Sequence, residues 1–249
     1  MIIDHVTYAY RRWTRPVLAD LSYELPDGLT VLLGPNGSGK STLLKLASGV
    51  LRPNRGTVTL GGLASTRRSY REDVSWLPQH VQPIPQLTAH EYVAYVGWLK
   101  GMSTALAQDR ASTALDRVDL TGQAKIKTNQ LSGGQLRRLG LAAALVHDSH
   151  LLLLDEPTAG LDPQQRRTFR DVLASLSNDV NILMSTHDVA DLAEEADHVS
   201  VLIGGEITFT GTTRDFLAHA PAETPEGRRA EAAYTALVSD LGLRALGVQ

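Results

Sequence analysis

The segment from Gly34 to Ser41 reads Gly-Pro-Asn-Gly-Ser-Gly-Lys-Ser and fits the spacing G-x-x-x-x-G-K-[ST]. The apolar run Leu29–Leu33 precedes it, and from Ser41 to Ala47 the apolar residues recur at helical spacing. A strand, a glycine-rich turn and a helix in this order aim backbone N–H groups and the positive end of the helix at one point. The segment therefore predicts a phosphate-binding loop, in which Lys40 supplies a cation to the outer phosphates and Ser41 a hydroxyl to Mg²⁺.

Two adjacent acids extend this prediction. Leu151–Leu154 is another apolar run, and Asp155 and Glu156 follow it directly. Because parallel sheets place their ligand crevice at the carboxyl ends of the strands, we expect both acids beside the phosphate loop. Asp155 would bind Mg²⁺ through its water shell, and Glu156 would accept a proton from the water that attacks the γ-phosphate.

A second glycine-rich helix start lies at Leu131-Ser-Gly-Gly-Gln135. It offers another set of N–H donors, a hydroxyl and a positive helix end, all of which suit a phosphate. The chain is therefore predicted to carry two helix ends that bind phosphate.

The hydrophobic pattern around these segments predicts an α/β fold. Uniformly apolar short runs are typical of parallel strands covered on both faces, and they recur at Leu29–Leu33, Val74–Leu77, Leu151–Leu154 and Asn181–Met184. Alternating runs indicate antiparallel hairpin strands nearer the edges, and they lie at Gly56–Leu60, Val199–Ile203 and Ile207–Phe209. We expect a parallel-sheet core with an antiparallel β layer.

Helical patterns fill much of the rest. Capping boxes at Thr88-x-x-Glu91 and Ser132-x-x-Gln135 and a stop at Gly101 predict a helical subdomain, about residues 83–146, inserted in the core. A further helix is expected to open at Asp162-Pro163. We expect a single domain over residues 1–220 and a peripheral tail with a short helix over residues 221–249.

Composition excludes several classes of function. The 24 Lys and Arg residues against 27 Asp and Glu give a net charge of -3, which argues against the broadly basic surface needed for unassisted nucleic-acid binding. Cysteine is absent, which excludes disulfides, a cysteine nucleophile and cysteine-ligated metal sites. No export signal is expected, and the apolar stretch Leu139–Leu154 is interrupted at His147–His150, short of the roughly 18 apolar residues of a membrane span.

With these motifs in order, the chain from about Ile2 to Thr212 resembles the ATP-binding cassette (ABC) ATPases. The resemblance implies a P-loop NTPase (RecA-like) fold, ATP and Mg²⁺ as cofactors, and two cassettes that dimerise head to tail. The signature of one cassette would then close over ATP held by the Walker A loop of the other.

The resemblance also assigns residues by motif. It implies Walker A at Gly34, Pro35, Asn36, Gly37, Ser38, Gly39, Lys40, Ser41 and Thr42, the Q-loop at Gln79, the signature at Leu131, Ser132, Gly133, Gly134 and Gln135, Walker B at Asp155 and Glu156, the D-loop at Ala159–Asp162 and the switch histidine at His187. Ser41, Gln79 and Asp155 are the expected metal-binding residues, and Glu156 and His187 the expected catalytic ones.

Some positions keep alternatives. Tyr10 lies where the family places an adenine-stacking aromatic, but Tyr8 and Trp13 compete for that role. His187 follows a predicted parallel strand, which favours a contact with the γ-phosphate over a structural role. Gln79 is interpreted as a conformational relay between Mg²⁺ and the helical insertion.

The arginine pairs are interpreted as solvated faces without an assigned function. These pairs are Arg11-Arg12, Arg67-Arg68, Arg137-Arg138 and Arg166-Arg167.

The leading functional hypothesis is the ATPase subunit of an ABC transporter. It would lie peripherally at the cytoplasmic face of the cell membrane, bound to a polytopic permease and to a second cassette in a homodimer or heterodimer, and no nucleic-acid partner is expected. The alternatives are a soluble ABC protein acting on nucleic acid or ribosomes, and a P-loop kinase, which would leave the signature and His187 unexplained.

Three stretches, 77–95, 184–191 and 205–211, are most similar to bacterial exporter cassettes of the drug-efflux or immunity kind. Between Gln79 and Leu99 the aromatic residues Tyr92, Tyr95 and Trp98 follow a proline-containing segment at Pro83 and Pro85, and part of this apolar stripe is expected to be core. We expect this segment to form a groove that receives a cytoplasmic helix of the permease.

Overall fold

The computed structural model describes residues 1–11, 14–176, 180–189 and 196–245. Among the residues singled out above, Arg12, Trp13, Ala190 and Asp191 lie outside the described part of the chain. The strands are β1 (Ile2–Tyr8), β2 (Leu18–Glu24), β3 (Leu29–Leu33), β4 (Arg55–Leu60), β5 (Leu63–Ala64), β6 (Val74–Leu77), β7 (Leu151–Asp155), β8 (Asn181–Thr186), β9 (His198–Ile203) and β10 (Glu206–Thr212). The α-helices are α1 (Lys40–Ala47), α2 (Tyr70–Asp73), α3 (Ala89–Leu99), α4 (Thr104–Arg117), α5 (Gly133–Leu145), α6 (Pro163–Leu176), α7 (Thr213–Leu217) and α8 (Arg229–Ala245).

The central sheet has the order β10-β9-β3-β8-β7-β6. Its members from β9 to β6 pair in parallel, and β10 pairs with β9 antiparallel. This arrangement confirms the predicted parallel core. The four uniformly apolar runs are the four strands β3, β6, β7 and β8.

Strand β9 is more central than its alternation indicated. It pairs in parallel with β3 and antiparallel with the hairpin strand β10, so of these two hairpin strands only β10 lies at an edge of the sheet. The polar residue that creates the alternation, Ser200, is fully buried and hydrogen-bonds to Tyr23 Oη at 3.0 Å and to Thr210 Oγ1 at 3.2 Å. A buried hydroxyl with partners is tolerated inside a sheet, and the alternation rule does not account for this.

The antiparallel layer is a second sheet with the order β2-β1-β4-β5. Two apolar clusters form the core. One contains Leu32, Leu151 and Leu153 together with residues of α1 and the antiparallel sheet. The other contains Leu33, Leu152 and helix residues such as Val93, Leu139 and Phe169. Neighbouring leucines of one strand thus enter opposite clusters, which explains why the strands are apolar at every position.

The helical segment between β6 and β7 consists of α3, α4 and α5, with two short 3₁₀ turns. Both predicted capping boxes are present, at Thr88 with Glu91 and at Ser132 with Gln135. Gly101 has a φ of 96°, a left-handed conformation that suits the residue after a helix end. The division into a domain over 1–220 and a tail over 221–249 stays a prediction.

After residue 221 the main element is α8, which has 17 residues and is longer than the short helix expected there. Ala230 and Ala233 are buried and belong to the larger apolar cluster. Across the described ranges, no helix has both the length and the apolar character needed to cross a membrane.

Candidate functional site

The carboxyl ends of four neighbouring parallel strands supply the candidate site. In sheet order, β3 leads into the glycine-rich loop, β8 into His187, β7 into Asp155 and Glu156, and β6 into Gln79. Parallel strands all point the same way, so these four chain exits meet at one edge of the sheet.

The glycine-rich loop is closely packed and carries a hydroxyl without a partner. A Cβ at Gly34 would overlap the carbonyl oxygen of Leu202, so the close approach of these two backbones requires glycine. The hydroxyl of Ser38 is buried and has no hydrogen-bond partner. An unpaired buried hydroxyl is costly, and a phosphate oxygen would satisfy it.

Lys40 fills the loop in this structure. Its side chain is only 5% exposed, and Nζ donates to the carbonyl oxygens of Gly34 at 2.7 Å and Pro35 at 3.2 Å. Burial lowers the pKa of Lys40, while Glu156 and Asp155 raise it. The ammonium group therefore lies inside the loop with nearby acids but no direct ion pair among these contacts.

Asp155 is the buried centre of the hydroxyl contacts. Its Oδ1 accepts hydrogen bonds from Ser41 Oγ and Ser185 Oγ, both at 2.9 Å, and the residue is 3% exposed. The start of α1 and the ends of β7 and β8 are thereby joined at one carboxylate. Ser185 was not among the residues singled out from the sequence, although a polar Ser185-Thr186 pair ending an apolar strand was an available signal.

Glu156 has a backbone conformation that is rare for its residue type. Its φ is 45°, in the left-handed region where non-glycine residues are strained. Its N–H donates to the carbonyl oxygen and the hydroxyl of Ser185, each at 3.1 Å. Gln79 Nε2 donates to Glu156 Oε2 at 3.2 Å, and His187 Nδ1 lies 3.3 Å from the same oxygen. Two candidate residues, Gln79 and His187, therefore converge from two strand ends on one carboxylate oxygen of Glu156.

A cavity of about 540 Å³ lies in front of these groups. Its lining residues are Tyr10, Val17, Asn36, Gly37, Gly39, Lys40, Ser41, Thr42, Gln79, Glu156 and His187. Val17 is a lining residue that the sequence reasoning missed, since an isolated valine carries no motif.

The aromatic position at the cavity is decided in favour of Tyr10 over Tyr8. Tyr10 is 56% exposed and lines the cavity, and its hydroxyl lies 3.1 Å from Thr42 Oγ1. Tyr8 is 8% exposed and its ring packs edge-on against Tyr10 at 5.1 Å. A buried ring has no face for a ligand, and the third candidate, Trp13, lies outside the described residues.

The signature residues lie elsewhere on the described surface. Ser132 and Gly133 are exposed at the start of α5, and none of the residues from 131 to 135 lines the cavity beside Lys40. Asp162 caps α6, where its Oδ1 accepts from the backbone N–H of Gln165 at 2.8 Å. The chain therefore assembles Walker A residues, Gln79, Glu156 and His187 at one cavity, whereas Gly133 of the signature and D-loop residues 159–161 line a second cavity, which Gln79 also borders.

Three of the arginines interpreted as solvated are partly or almost fully buried. Arg137 is 7% exposed and donates to the carbonyl oxygens of Pro78, Gln79 and Glu156. The side chains of Arg138 and Arg166 are 18% and 26% exposed, and each forms an ion pair. The interpretation was wrong for these three, because a charge count along the sequence does not reveal which side chains point inward.

The oxygen atoms around the cavity suit Mg²⁺, but the described side chains do not provide a complete set of metal ligands by themselves. Within the described ranges no cluster of three or more His, Asp or Glu residues could hold a metal ion. A hydroxyl at Ser41, an amide oxygen at Gln79 and a carboxylate at Asp155 are hard oxygen ligands, and Mg²⁺ usually keeps several waters and takes its other ligands from phosphates. These features define a nucleotide-binding protein of the P-loop class.

Comparison with known proteins narrows this class. The family model described as ABC transporter matches residues 18–159, more than half of the chain. The chain is 32% identical over 225 residues to the linearmycin resistance ATP-binding protein LnrL of Bacillus subtilis, covering 89% of this chain and 72% of LnrL. The chain therefore belongs to the ABC transporter family, as one of its ATPase cassettes.

Further similar proteins include an import ATP-binding protein and a cassette of known structure. The sulfate/thiosulfate import ATP-binding protein CysA of Synechocystis is 34% identical over 223 residues, which cover 88% of this chain and 62% of CysA. The dimeric structure of a post-hydrolysis state of the ATP-binding cassette MJ0796 bound to ADP and Pi superposes with a TM-score of 0.75 and 27% identity, covering 86% of this chain and 98% of that one.

Proposed function

We propose that the cavity in front of α1 binds Mg·ATP and that hydrolysis of this ATP powers a membrane permease. The chain would bind the permease peripherally, at the cytoplasmic face of the membrane. The observation that carries the proposal is the meeting of four strand ends at one cavity, with Ser41 hydrogen-bonded to Asp155 and both Gln79 and His187 beside Glu156. A packing role for these residues would not require a buried lysine and an unpaired hydroxyl in the same loop.

Each side chain at the cavity is proposed to have a separate role. Lys40 would exchange the carbonyl oxygens of Gly34 and Pro35 for the outer phosphates, which are stronger acceptors for an ammonium group. Glu156 would accept a proton from the attacking water, and His187 beside it would contact the γ-phosphate. Tyr10 offers an exposed ring face to the adenine.

Ser41, Gln79 and Asp155 would hold Mg²⁺, directly or through its waters. The bound ion supplies neutralisation of the phosphate charge. The hydrogen bond between Ser41 and Asp155 keeps the Asp155 carboxylate directly behind Ser41, which lines the cavity.

A second cassette would complete the site. Ser132, Gly133, Gly134 and Gln135 would close over ATP held at Lys40 of the other chain, with Asp162 at the interface. Two observations support this proposal: the signature start is exposed and separate from the cavity, and the similar cassette MJ0796 is dimeric in its ADP-bound structure.

Export is the proposed direction of transport. The similarity to a linearmycin resistance protein supports it, and the comparable identity to a sulfate/thiosulfate importer is the strongest counter-argument. Transport assays in inside-out and right-side-out vesicles of the complete transporter would decide between the two directions.

A groove beside the site is the proposed docking place for a cytoplasmic helix of the permease. A cavity of about 470 Å³ opens between β6, α3 and α5 and is lined by apolar residues including Trp76, Val81 and Tyr92. Of the three aromatic residues expected here, only Tyr92 lines it. Tyr95 and Trp98 stack on each other at 6.1 Å on an exposed part of α3.

The test uses the natural absence of cysteine. Single cysteines at the exposed groove positions His80 and Gln82 should crosslink to a co-expressed polytopic membrane subunit. A cysteine at exposed Glu24 on the antiparallel sheet is the matched control and should not. Co-purification with ribosomes or nucleic acid and no membrane subunit would refute the transporter proposal.

A further inference from the structure

Arg137 connects three functional segments through backbone carbonyl groups. It lies in α5, two residues after Gln135 of the signature, and it is only 7% exposed. One terminal nitrogen donates to the carbonyl oxygens of Pro78, at 3.1 Å, and Gln79, and the other donates to that of Glu156 at 2.9 Å.

The position of these carbonyl groups explains why a side-chain donor reaches them. Strands β6 and β7 pair in parallel up to Leu77 and Leu154, and beyond this point the ladder supplies no further hydrogen bonds. Pro78, Gln79 and Glu156 therefore leave the sheet with carbonyl oxygens that take donors from elsewhere, and that of Glu156 also accepts from the N–H of Ala159 at 3.2 Å. The planar guanidinium has donors in a fixed fork and can serve two chain segments at once.

Burial of this charge is costly, and the pKa of Arg137 is lowered by it, while Asp155 and Glu156 raise it. The hydrogen bonds of Arg137 go to neutral carbonyl groups, which offset the desolvation of a buried charge less well than a carboxylate would, so simple packing does not explain an arginine here. The same two segments carry Gln79 and Glu156, whose side chains meet at 3.2 Å in the cavity.

We infer that Arg137 is a positioning residue for ATP hydrolysis: it holds the Gln79 loop against the Glu156 turn, so that both side chains keep their places beside the phosphates. Because Arg137 belongs to the helix that begins with the signature, a shift of α5 is transmitted directly to Gln79 and Glu156. This inference rests on the proposed role of Glu156.

The experiment compares Arg137→Lys and Arg137→Met with the neighbouring Arg138→Met. Arg138 is a matched control, since it also donates to backbone carbonyls, those of Val118 and Asp119, neither of which lines the cavity. Misplacing catalytic groups by about 1 Å costs about 100-fold. We expect kcat to fall about 10- to 100-fold in both Arg137 variants with little change in KM for ATP, and to stay near wild type in Arg138→Met.

Arg137→Lys keeps the charge but lacks the fork, so wild-type kcat in that variant would overturn the proposal, as would an equal fall in Arg138→Met. Thermal melting identifies a variant that fails to fold, and the smaller change to lysine then carries the test.

A double variant that combines Gln79→Ala with Arg137→Lys should be no slower than the slower single variant, because both changes disable the same arrangement of Gln79 beside Glu156. Strictly additive losses would contradict it.

Hydrogen exchange adds a readout independent of activity. Amides of residues 79–82 should exchange faster in Arg137→Lys, while those of β7 stay protected. An unchanged rate of amide exchange in residues 79–82 would contradict the proposal that Arg137 holds this loop against the Glu156 turn. Glu156→Gln is measured in parallel: wild-type hydrolysis by it would refute the proposed site, whereas a slow Glu156→Gln with a normal Arg137→Lys would refute this inference alone.

Discussion

The two glycine-rich helix ends, at α1 and at α5, have similar sequence chemistry and different surroundings. The first is enclosed: Lys40 lies inside the loop, and Asp155 accepts a hydrogen bond from Ser41. The second is exposed, and its capping box uses its own groups, since Ser132 Oγ accepts from Gln135 N at 3.3 Å and Gln135 Oε1 accepts from Ser132 N at 2.9 Å.

This difference teaches what each end can do. The end of α1 combines N–H donors, a cation and carboxylates within one chain, so it is able to hold a polyphosphate by itself. The end of α5 has Ser132 and Gly133 exposed at the surface and does not line that cavity. It is therefore suited to complete a site held by another chain, and variants at the two ends should fail in different ways.

The largest effect is expected for Glu156→Gln. The amide has nearly the same size but cannot accept the proton, and loss of a positioned general base costs about 10² to 10⁴ in rate. Hydrolysis should fall by that factor, while the ATP-induced rise in melting temperature persists. A control change at exposed Glu24→Gln should alter neither, and wild-type turnover by Glu156→Gln would remove Glu156 from the chemistry.

The next effect concerns the α5 end. In Gly134→Asp a carboxylate is placed at the helix start, where its charge opposes a phosphate, and the added Cβ requires the side chain of Gln165, 2.5 Å away, to move. Hydrolysis should fall about 10²- to 10³-fold, as after loss of an electrostatic contact to the reacting group. Binding of ATP by the same chain should be unchanged.

Gly122→Asp is the matched control, because Gly122 lies in the same helical segment with open space around it. Mixing Lys40→Ala chains with Gly134→Asp chains gives dimers with one intact composite site, and hydrolysis by that mixture would support sharing. Full activity of Gly134→Asp alone would contradict the division between the two ends.

A smaller effect is expected for Lys40→Ala. Ligand at about 100 times its Kd stabilises a fold by roughly 2.7 kcal/mol, and this variant should lose most of that gain. Differential scanning fluorimetry with and without ATP measures it. Lys45→Ala, on the same helix, serves as the control, and an undiminished shift in Lys40→Ala would show that α1 is not the phosphate-binding end.

The smallest effect is expected for Ser38→Ala. The buried hydroxyl has no partner in this structure, so its removal should leave the nucleotide-free protein as stable or slightly more stable. The ATP-induced stabilisation should fall by about 1 kcal/mol, the value of one hydrogen bond. Destabilisation of the nucleotide-free protein with an unchanged ATP shift would show that Ser38 serves the fold alone.

Local patterns predicted much of the fold. The strand, loop and helix around Lys40, the four uniformly apolar strands and both capping boxes follow from hydrophobic period and from hydrogen bonds between residues three or four apart. The sequence also indicated that Asp155, Gln79 and His187 end or follow parallel strands. Hydrophobic period, capping boxes and polar residues at strand ends can each be recognised within one short segment of the sequence.

What the sequence by itself determined about this protein is therefore the identity of its elements and the polar residues at their ends. Tertiary structure alone decided that Tyr10 and not Tyr8 faces the cavity, that Ser185 supports Asp155, and that Arg137 is buried between two chain exits. The physical reason is that these contacts join residues roughly 20 to 60 positions apart. Which carbonyl or carboxylate lacks a partner depends on how strands and helices pack together, and no local period records it.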